Sequence, residues 1–108
     1  MPEAIKILGQ VAPAAASLTG LYTVPAATEA VVSAIVVCNR GTNGAAFRVA
    51  VAPAGEADNP KHYNYFDCPI APGETFGCLP VTLSATDVIR VQADTANLSF
   101  TAYGSEIT

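Results

Sequence analysis

The stretch that decides the fold reads Ala30-Val-Val-Ser-Ala-Ile-Val-Val-Cys38, then Asn39-Arg-Gly-Thr-Asn-Gly44, then Ala45-Ala-Phe-Arg-Val-Ala-Val-Ala52. Its apolar and β-branched residues predict two strands joined by a polar turn. Successive side chains of a strand point to opposite faces of the sheet. In the first strand this alternation gives two apolar sets, namely Val31, Ile35 and Val37 on one face and Val32, Ala34, Val36 and Cys38 on the other. The core of an antiparallel sandwich covers one face, so we expect the second set to meet another subunit.

Turn signals divide the rest of the chain at the spacing typical of an all-β sandwich or barrel. The clearest is Ala71-Pro-Gly-Glu74, where Pro72 presets φ for a type II turn and Gly73 tolerates the positive φ that follows. The sequence predicts about eight strands, which cover Ala4 to Gln10, Thr19 to Val24, Glu29 to Asn39, Ala45 to Ala52, Lys61 to Asp67, Glu74 to Leu83, Asp87 to Ala93 and Leu98 to Ile107. We therefore predict one antiparallel β-sandwich domain over residues 1–108, of jelly-roll or immunoglobulin-like arrangement.

The composition excludes several classes of protein. Apolar residues make up 51% of the chain, which is too many for a disordered segment. No apolar run approaches the roughly 20 residues of a membrane helix, so no membrane partner is expected. The first residues, Met-Pro-Glu-Ala-Ile-Lys, lack the basic and apolar regions of a secretory signal. We expect the chain to be made and kept in the cytosol of the producing cell.

Charge and motifs argue against nucleic-acid binding and catalysis. The net charge is −4, and the basic residues are scattered over Lys6, Arg40, Arg48, Lys61 and Arg90. Such a distribution forms no phosphate-binding stripe. No G-x-S-x-G elbow, phosphate-binding glycine loop or H-E-x-x-H pattern occurs, and the carboxylates fall mostly in turns and at strand ends. We expect a protein that is not an enzyme and needs no cofactor.

The chain has three cysteines, Cys38, Cys68 and Cys78, and one histidine, His62. Without a C-x-x-C pair or further histidines this set predicts no metal site. His62 stands where a loop meets a strand, and we expect it on the surface. The simplest interpretation of the cysteines is three reduced and mostly buried thiols. Two alternatives stay open: Cys68 and Cys78 facing each other across a hairpin, or one cysteine cross-linking subunits in an oxidising medium.

Two tyrosines and a polar loop form the best candidate for recognition. Tyr63 and Tyr65 are two residues apart and are predicted to share one face of a strand, with Phe66 on the other face. Cross-strand packing or a subunit contact is the first interpretation, and stacking against a sugar is the second. The preceding loop, residues 53–60, is polar and bounded by prolines, so we expect a surface excursion where a recognition tip would lie.

Several strand and turn runs carry a resemblance to a known group of proteins. They are Leu21-Tyr-Thr-Val-Pro-Ala26, Ile35-Val-Val-Cys-Asn39, Phe47-Arg-Val-Ala-Val-Ala-Pro-Ala-Gly55, Asp87-Val-Ile-Arg-Val91 and Tyr103-Gly-Ser-Glu-Ile107. The sequence resembles small proteins encoded among the virion structural genes of tailed bacteriophages. The resemblance covers nearly the whole chain and carries no active site. It implies a β-sandwich subunit present in many copies on the head, neck or tail, with threefold or other cyclic association.

From the residues and the resemblance together we expect a structural subunit of a phage virion, a capsid decoration or neck and collar protein made in the bacterial cytoplasm. Its partners would be copies of itself, as a trimer or other cyclic oligomer, and other virion proteins. The expected subunit interface contains Val32, Val36, Tyr63 and Tyr65. The competing expectation is a receptor- or glycan-binding module of a tail fibre, which would use Tyr63, Tyr65 and the loop from Gly55 to Pro60.

Overall fold

A computed structural model describes residues 3–108, which form two antiparallel β-sheets packed against each other. The strands are β1 (Glu3–Val11), β2 (Thr19–Thr23), β3 (Glu29–Asn39), β4 (Ala45–Ala52), β5 (Tyr63–Ile70), β6 (Thr75–Cys78), β7 (Val81–Leu83), β8 (Val88–Ala93) and β9 (Leu98–Ile107). Two short 3-10 turns, Pro53–Gly55 and Pro60–His62, lie between β4 and β5. The predicted all-β sandwich is confirmed.

The order of the strands identifies the arrangement as a jelly roll. The first sheet runs β1-β9-β3-β6, with β7 also pairing with β3, and the second sheet runs β2-β8-β4-β5. Strands β6 and β7 act as one interrupted strand, because Cys78 pairs with Ile35 and Val81 pairs with Val32 of the same neighbour. Pro80 lies at the break and has no N–H for the ladder. With β6 and β7 counted as one, two four-stranded sheets carry the eight strands of a jelly roll.

The core is centred on Phe47 of β4, which is fully buried. Its ring centroid lies 5.5 Å from that of Phe76, 6.2 Å from that of Phe100 and 6.1 Å from that of Tyr65. These tilted and edge-to-face contacts join the two sheets, and such aromatic pairs stabilise beyond the area they bury. The largest fully buried aliphatic side chains around them are Ile35, Ile70, Ile89, Leu98, Val24, Val32, Val37, Val49 and Val91.

A β-bulge at Ser33 changes which alternate residues of β3 point into the core. Val32 pairs with Gly104 and Ala34 pairs with Tyr103, so Ser33 has no partner on β9. Before the bulge the even-numbered residues point into the core, and after it the odd-numbered residues do. The prediction of two continuous apolar faces, with Val32 on the outer one, is therefore wrong. Val32 is fully buried in the core.

A second irregularity separates the two tyrosines of β5. Tyr65 pairs with Val49 and Tyr63 with Ala50, so one extra residue lies on β5 between the two pairs. Tyr65 packs inward against Phe47, whereas Tyr63 packs outward against Phe66 at 5.3 Å between ring centroids. The prediction that Tyr63 and Tyr65 share a face is wrong, because strict alternation does not survive a bulge.

Two predicted turns are present in the structure. In the turn after β5, the N–H of Glu74 donates to the carbonyl of Ala71 at 3.0 Å and Gly73 has a φ of 72°. In the turn after β3, the buried Asn39 side chain donates to the carbonyl of Asn43 at 2.9 Å and accepts from the N–H of Gly41 at 2.9 Å. These bonds satisfy a buried amide that would otherwise destabilise the fold.

Candidate functional site

The outer face of the first sheet carries an exposed apolar surface. Side chains of Ile5, Ile7, Val31, Ala34 and Tyr103 point away from the core, and we call this set the apolar face. Tyr103 pairs with both Ile7 and Ala34, and Ser105 pairs with both Ile5 and Val31, so the set crosses three adjacent strands in two rows. Ile5 is 86% exposed, Ile7 53%, Tyr103 43% and Val31 38%. Contiguous apolar surface of this kind marks interaction sites more often than scattered exposed residues do.

Charged groups near the apolar face are turned away from it or lie at its end. Lys6 lies between Ile5 and Ile7 but points to the other side of β1, where its Nζ is 2.6 Å from Glu106 Oε1. Tyr22 on β2 donates its hydroxyl to Glu106 Oε2 at 2.5 Å. The bonds from Lys6 and from Tyr22 lower the pKa of Glu106, while burial and the hydrogen bond to Glu106 raise the pKa of Tyr22. This network fastens β1 to the sandwich and leaves the apolar face uncharged.

Strand β1 is also an edge of its sheet. Its neighbour is β9, and within residues 3–108 no strand pairs with its other side. Nine residues is long for an edge strand, and natural proteins usually protect such edges because their unpaired N–H and C=O groups recruit other strands. The apolar face therefore borders a backbone edge that can also take part in association.

The outer face of the second sheet is partly covered by residues 53–62. Arg90 donates from Nη1 to the carbonyl of Glu56 at 2.8 Å, and Asp87 accepts from the N–H of Ala54 at 2.9 Å. His62 is only 4% exposed, with its Nε2 atom 3.2 Å from Glu56 Oε1, so the prediction of a surface histidine is wrong. The segment folds back onto the sheet because these hydrogen bonds satisfy its polar backbone.

Beside this segment lies an open groove of about 480 Å³, lined by Arg48, Asp58, Pro60, Tyr63 and Phe66. We call it the aromatic groove. The Arg48 guanidinium carbon lies 4.0 Å from the centroid of the Phe66 ring, and Tyr63 meets the same ring edge-to-face. Burial and the neighbouring Asp58 carboxylate raise the pKa of Tyr63. Two aromatic rings at right angles to each other thus lie next to one cation and one carboxylate.

Arg48 is held in place by a two-point ion pair outside the groove lining. Its Nε and Nη2 atoms donate to Asp67 Oδ1 and Oδ2 at 2.7 and 3.2 Å. The guanidinium lowers the pKa of Asp67, and the carboxylate raises that of Arg48. Asp67 has a φ of 50° at the irregular part of β5, a backbone conformation that aspartate tolerates better than most residues. Phe47 pairs with Cys68 and Val49 with Tyr65, so β5 carries one extra residue at this point, and the Asp67 carboxylate reaches Arg48 from there.

The three cysteines are free thiols in different environments. Cys38 and Cys68 are half-buried, and Cys78 is buried. Burial, with a smaller effect from Cys68, raises the pKa of Cys78 to about 11. Cys38 lies on the outer side of β3, on the same side as the apolar face. The structure therefore places Cys68 and Cys78 near enough to interact electrostatically, with no bond between them.

The four expected interface residues lie in three different settings. Val32 and Tyr65 pack into the core, Val36 is half-buried one row beyond the apolar face, and Tyr63 lines the aromatic groove on the opposite sheet. Ile5 and Ile7, the most exposed members of the apolar face, were absent from the expectation. Their alternation with Ala4 and Lys6 was the available sequence signal.

Within the described part of the chain, no helix is long and apolar enough to cross a membrane. Residues 3–108 also contain no group of three or more metal-binding side chains close together. No family model matches this chain, and no curated protein or solved structure matches it either. The resemblance to phage virion proteins therefore depends on the strand and turn patterns of the sequence.

Proposed function

We propose that this chain is a non-enzymatic structural subunit that assembles with copies of itself through the apolar face. The observation that carries the proposal is the apolar row of Ile7, Tyr103 and Ala34 across three strands of one sheet, with Ile5 and Val31 on either side of Ser105 in the next row. Full burial of an isoleucine side chain stabilises by about 1.5–3 kcal/mol, so Ile5 and Ile7 alone supply a useful driving force.

The features around the apolar face support association rather than simple exposure. Glu3 and Glu29 both pair with Ile107 at one end of the face, which gives the patch the polar rim that protein interfaces usually have. The exposed edge of β1 adds backbone groups that a second strand can pair with. Few charged residues, 13% of the chain, are available to keep copies apart.

The setting we propose is a tailed-phage particle, on which the subunit decorates the capsid or belongs to the neck or collar. The sequence resemblance supports this setting, and the jelly roll agrees with it as a fold-level analogy, since this fold is frequent in viral coat proteins. In that setting the chain is made in the bacterial cytoplasm, and its partners are copies of itself, as a trimer or other cyclic oligomer, and further virion proteins.

A charge placed on the apolar face tests the proposal. Ile5→Lys puts an ammonium group at the most exposed position of the face, and Leu79→Lys is the matched control because Leu79 is 74% exposed at the break between β6 and β7. Light scattering after size-exclusion chromatography should show an oligomer for the wild type and for Leu79→Lys, and a monomer for Ile5→Lys. Equal masses for all three proteins would contradict an interface at this face.

A further inference from the structure

The aromatic groove on the second sheet has the size and composition of a small-ligand site. Its volume of about 480 Å³ falls inside the range of about 300–1,000 Å³ that such sites occupy. Phe66 is 59% exposed although it is one of the largest apolar side chains in the chain. Tyr63 and Pro60 extend the apolar lining beside it. The groove therefore exposes apolar ring surface to solvent, and this surface is concave rather than flat.

The hydrogen-bond donor of the groove, Arg48, is held in position. Asp67 occupies Nε and Nη2 of Arg48, and within residues 3–108 the third nitrogen, Nη1, has no hydrogen-bond partner. The stack on Phe66 fixes the guanidinium plane further. Asp58, which neighbours Tyr63 in the groove lining, supplies carboxylate oxygens that accept hydrogen bonds. One fixed donor and one acceptor thus lie beside the rings. Because the donor is already fixed, less side-chain entropy is lost when a ligand binds.

Charge restricts the class of ligand. Arg48 is already neutralised by Asp67, and the negative charge of Asp58 is opposed by the nearby Arg90, so the groove has no excess positive charge to attract a phosphate or another anion. An organic cation would meet the aromatic rings and Asp58 but also the guanidinium of Arg48, which repels it. A neutral molecule with an apolar face and several hydroxyl groups fits both the rings and the two polar groups.

We infer that the aromatic groove binds a neutral saccharide, with a sugar ring lying against Phe66 and Tyr63 and its hydroxyl groups bonded to Arg48 and Asp58. The groove lies on the sheet opposite the apolar face, so assembly leaves it accessible. The binding site is therefore independent of the proposed assembly, and a subunit that does not associate would still bind the sugar.

The test is a titration of ¹⁵N-labelled protein followed by amide chemical shifts. The probes are the methyl glycosides of glucose, galactose, mannose and N-acetylglucosamine, each raised to about 50 mM, which exceeds the millimolar dissociation constants of weak ligands. At least one of them should shift the amides of Tyr63, Phe66 and their neighbours with saturation. Tetramethylammonium and inorganic phosphate serve as probes for a cation and an anion site.

Two variants locate the binding. Phe66→Ala removes an exposed ring, so the fold should persist, and the sugar should bind about tenfold more weakly. Leu79→Ala removes an exposed apolar side chain that belongs to neither the groove nor the apolar face, and this variant should bind the sugar as the wild type does. Three outcomes would overturn the inference: no saturating shift with any glycoside, shifts that persist unchanged in Phe66→Ala, or a response to tetramethylammonium or phosphate in place of the sugars.

Discussion

Because the bulge in β3 reverses which alternate residues face the core, two valines four residues apart should differ in how much they contribute to stability. Val32 is fully buried, whereas Val36 is half-buried on the outer side. Truncation of Val32 to alanine removes two buried methyl groups, worth about 0.8 kcal/mol each, and the cavity left behind adds about 1 kcal/mol. We expect Val32→Ala to lower the free energy of unfolding by about 2.5 kcal/mol and Val36→Ala by less than about 1 kcal/mol.

The assay is urea unfolding followed by circular dichroism, with both substitutions placed in the Ile5→Lys background so that association does not contribute to stability. A lower midpoint with an unchanged slope would show that the folded state itself lost stability. If β3 alternated strictly, with Ile35 and Val37 inside, Val32 and Val36 would lie on the same outer face. Equal losses for the two variants, or a larger loss for Val36→Ala, would therefore refute the bulge at Ser33.

Three further predictions follow from packing and ionisation. Gly104→Ala should destabilise the fold by more than about 2 kcal/mol in thermal or urea unfolding, because a Cβ there collides with the Val31 carbonyl oxygen; a near-neutral effect would mean that the bulge is looser than described. At pH 8 Cys78 should be the slowest of the three thiols to react with iodoacetamide, since a pKa of about 11 leaves about one thiolate in a thousand; peptide mass spectrometry gives the order, and fast labelling of Cys78 would contradict its burial. Because the pKa of Glu106 is lowered, its carboxylate contributes stability that is complete above its ordinary pKa of 4.5 and is lost as the pH falls below that value. Lys6→Met should reduce this loss of stability in acid unfolding curves. An unchanged pH profile would rule out the ion pair with Lys6 as the source.

The strand positions could be predicted because turn chemistry marks them in the sequence. The turn at Ala71 to Glu74 is an example, since Pro72 and Gly73 dictate its backbone locally. The predicted sixth strand, Glu74 to Leu83, is divided in the structure at Pro80, which cannot donate to the ladder. This division changes the number of strands and leaves the topology of the sandwich intact.

The facing of side chains could not be predicted in the same way. A bulge adds one residue that has no partner on the neighbouring strand. The sequence around Ser33 contains no glycine or proline that would indicate such a bulge. One such residue was enough to misplace Val32, and a similar irregularity in β5 misplaced Tyr65. The burial of His62 depends on the contact of its Nε2 atom with the Glu56 carboxylate, and the Glu56 carbonyl in turn accepts a hydrogen bond from Arg90, which is distant in sequence. Long-range contacts of this kind leave no local pattern.

In the candidate sites, too, local sequence patterns were informative and long-range contacts could not be predicted. Alternation in β1 was sufficient to place Ile5 and Ile7 on one face, but not to show that Tyr103 and Val31 lie beside them. That juxtaposition comes from the pairing of β9 with both β1 and β3, strands that are far apart along the chain. Likewise, Arg48 of β4 and Phe66 of β5 become neighbours because these two strands pair. The irregular pairing of β5 next to Asp67 contributes to this contact.

The central claim, that the apolar face joins copies of this chain, is tested most directly by sedimentation equilibrium of the wild-type protein over about 1–100 μM. We expect a defined oligomer, a trimer or another small ring, whose mass is a whole multiple of 11.0 kDa and whose population rises with concentration. A mass of 11.0 kDa at every concentration would contradict it.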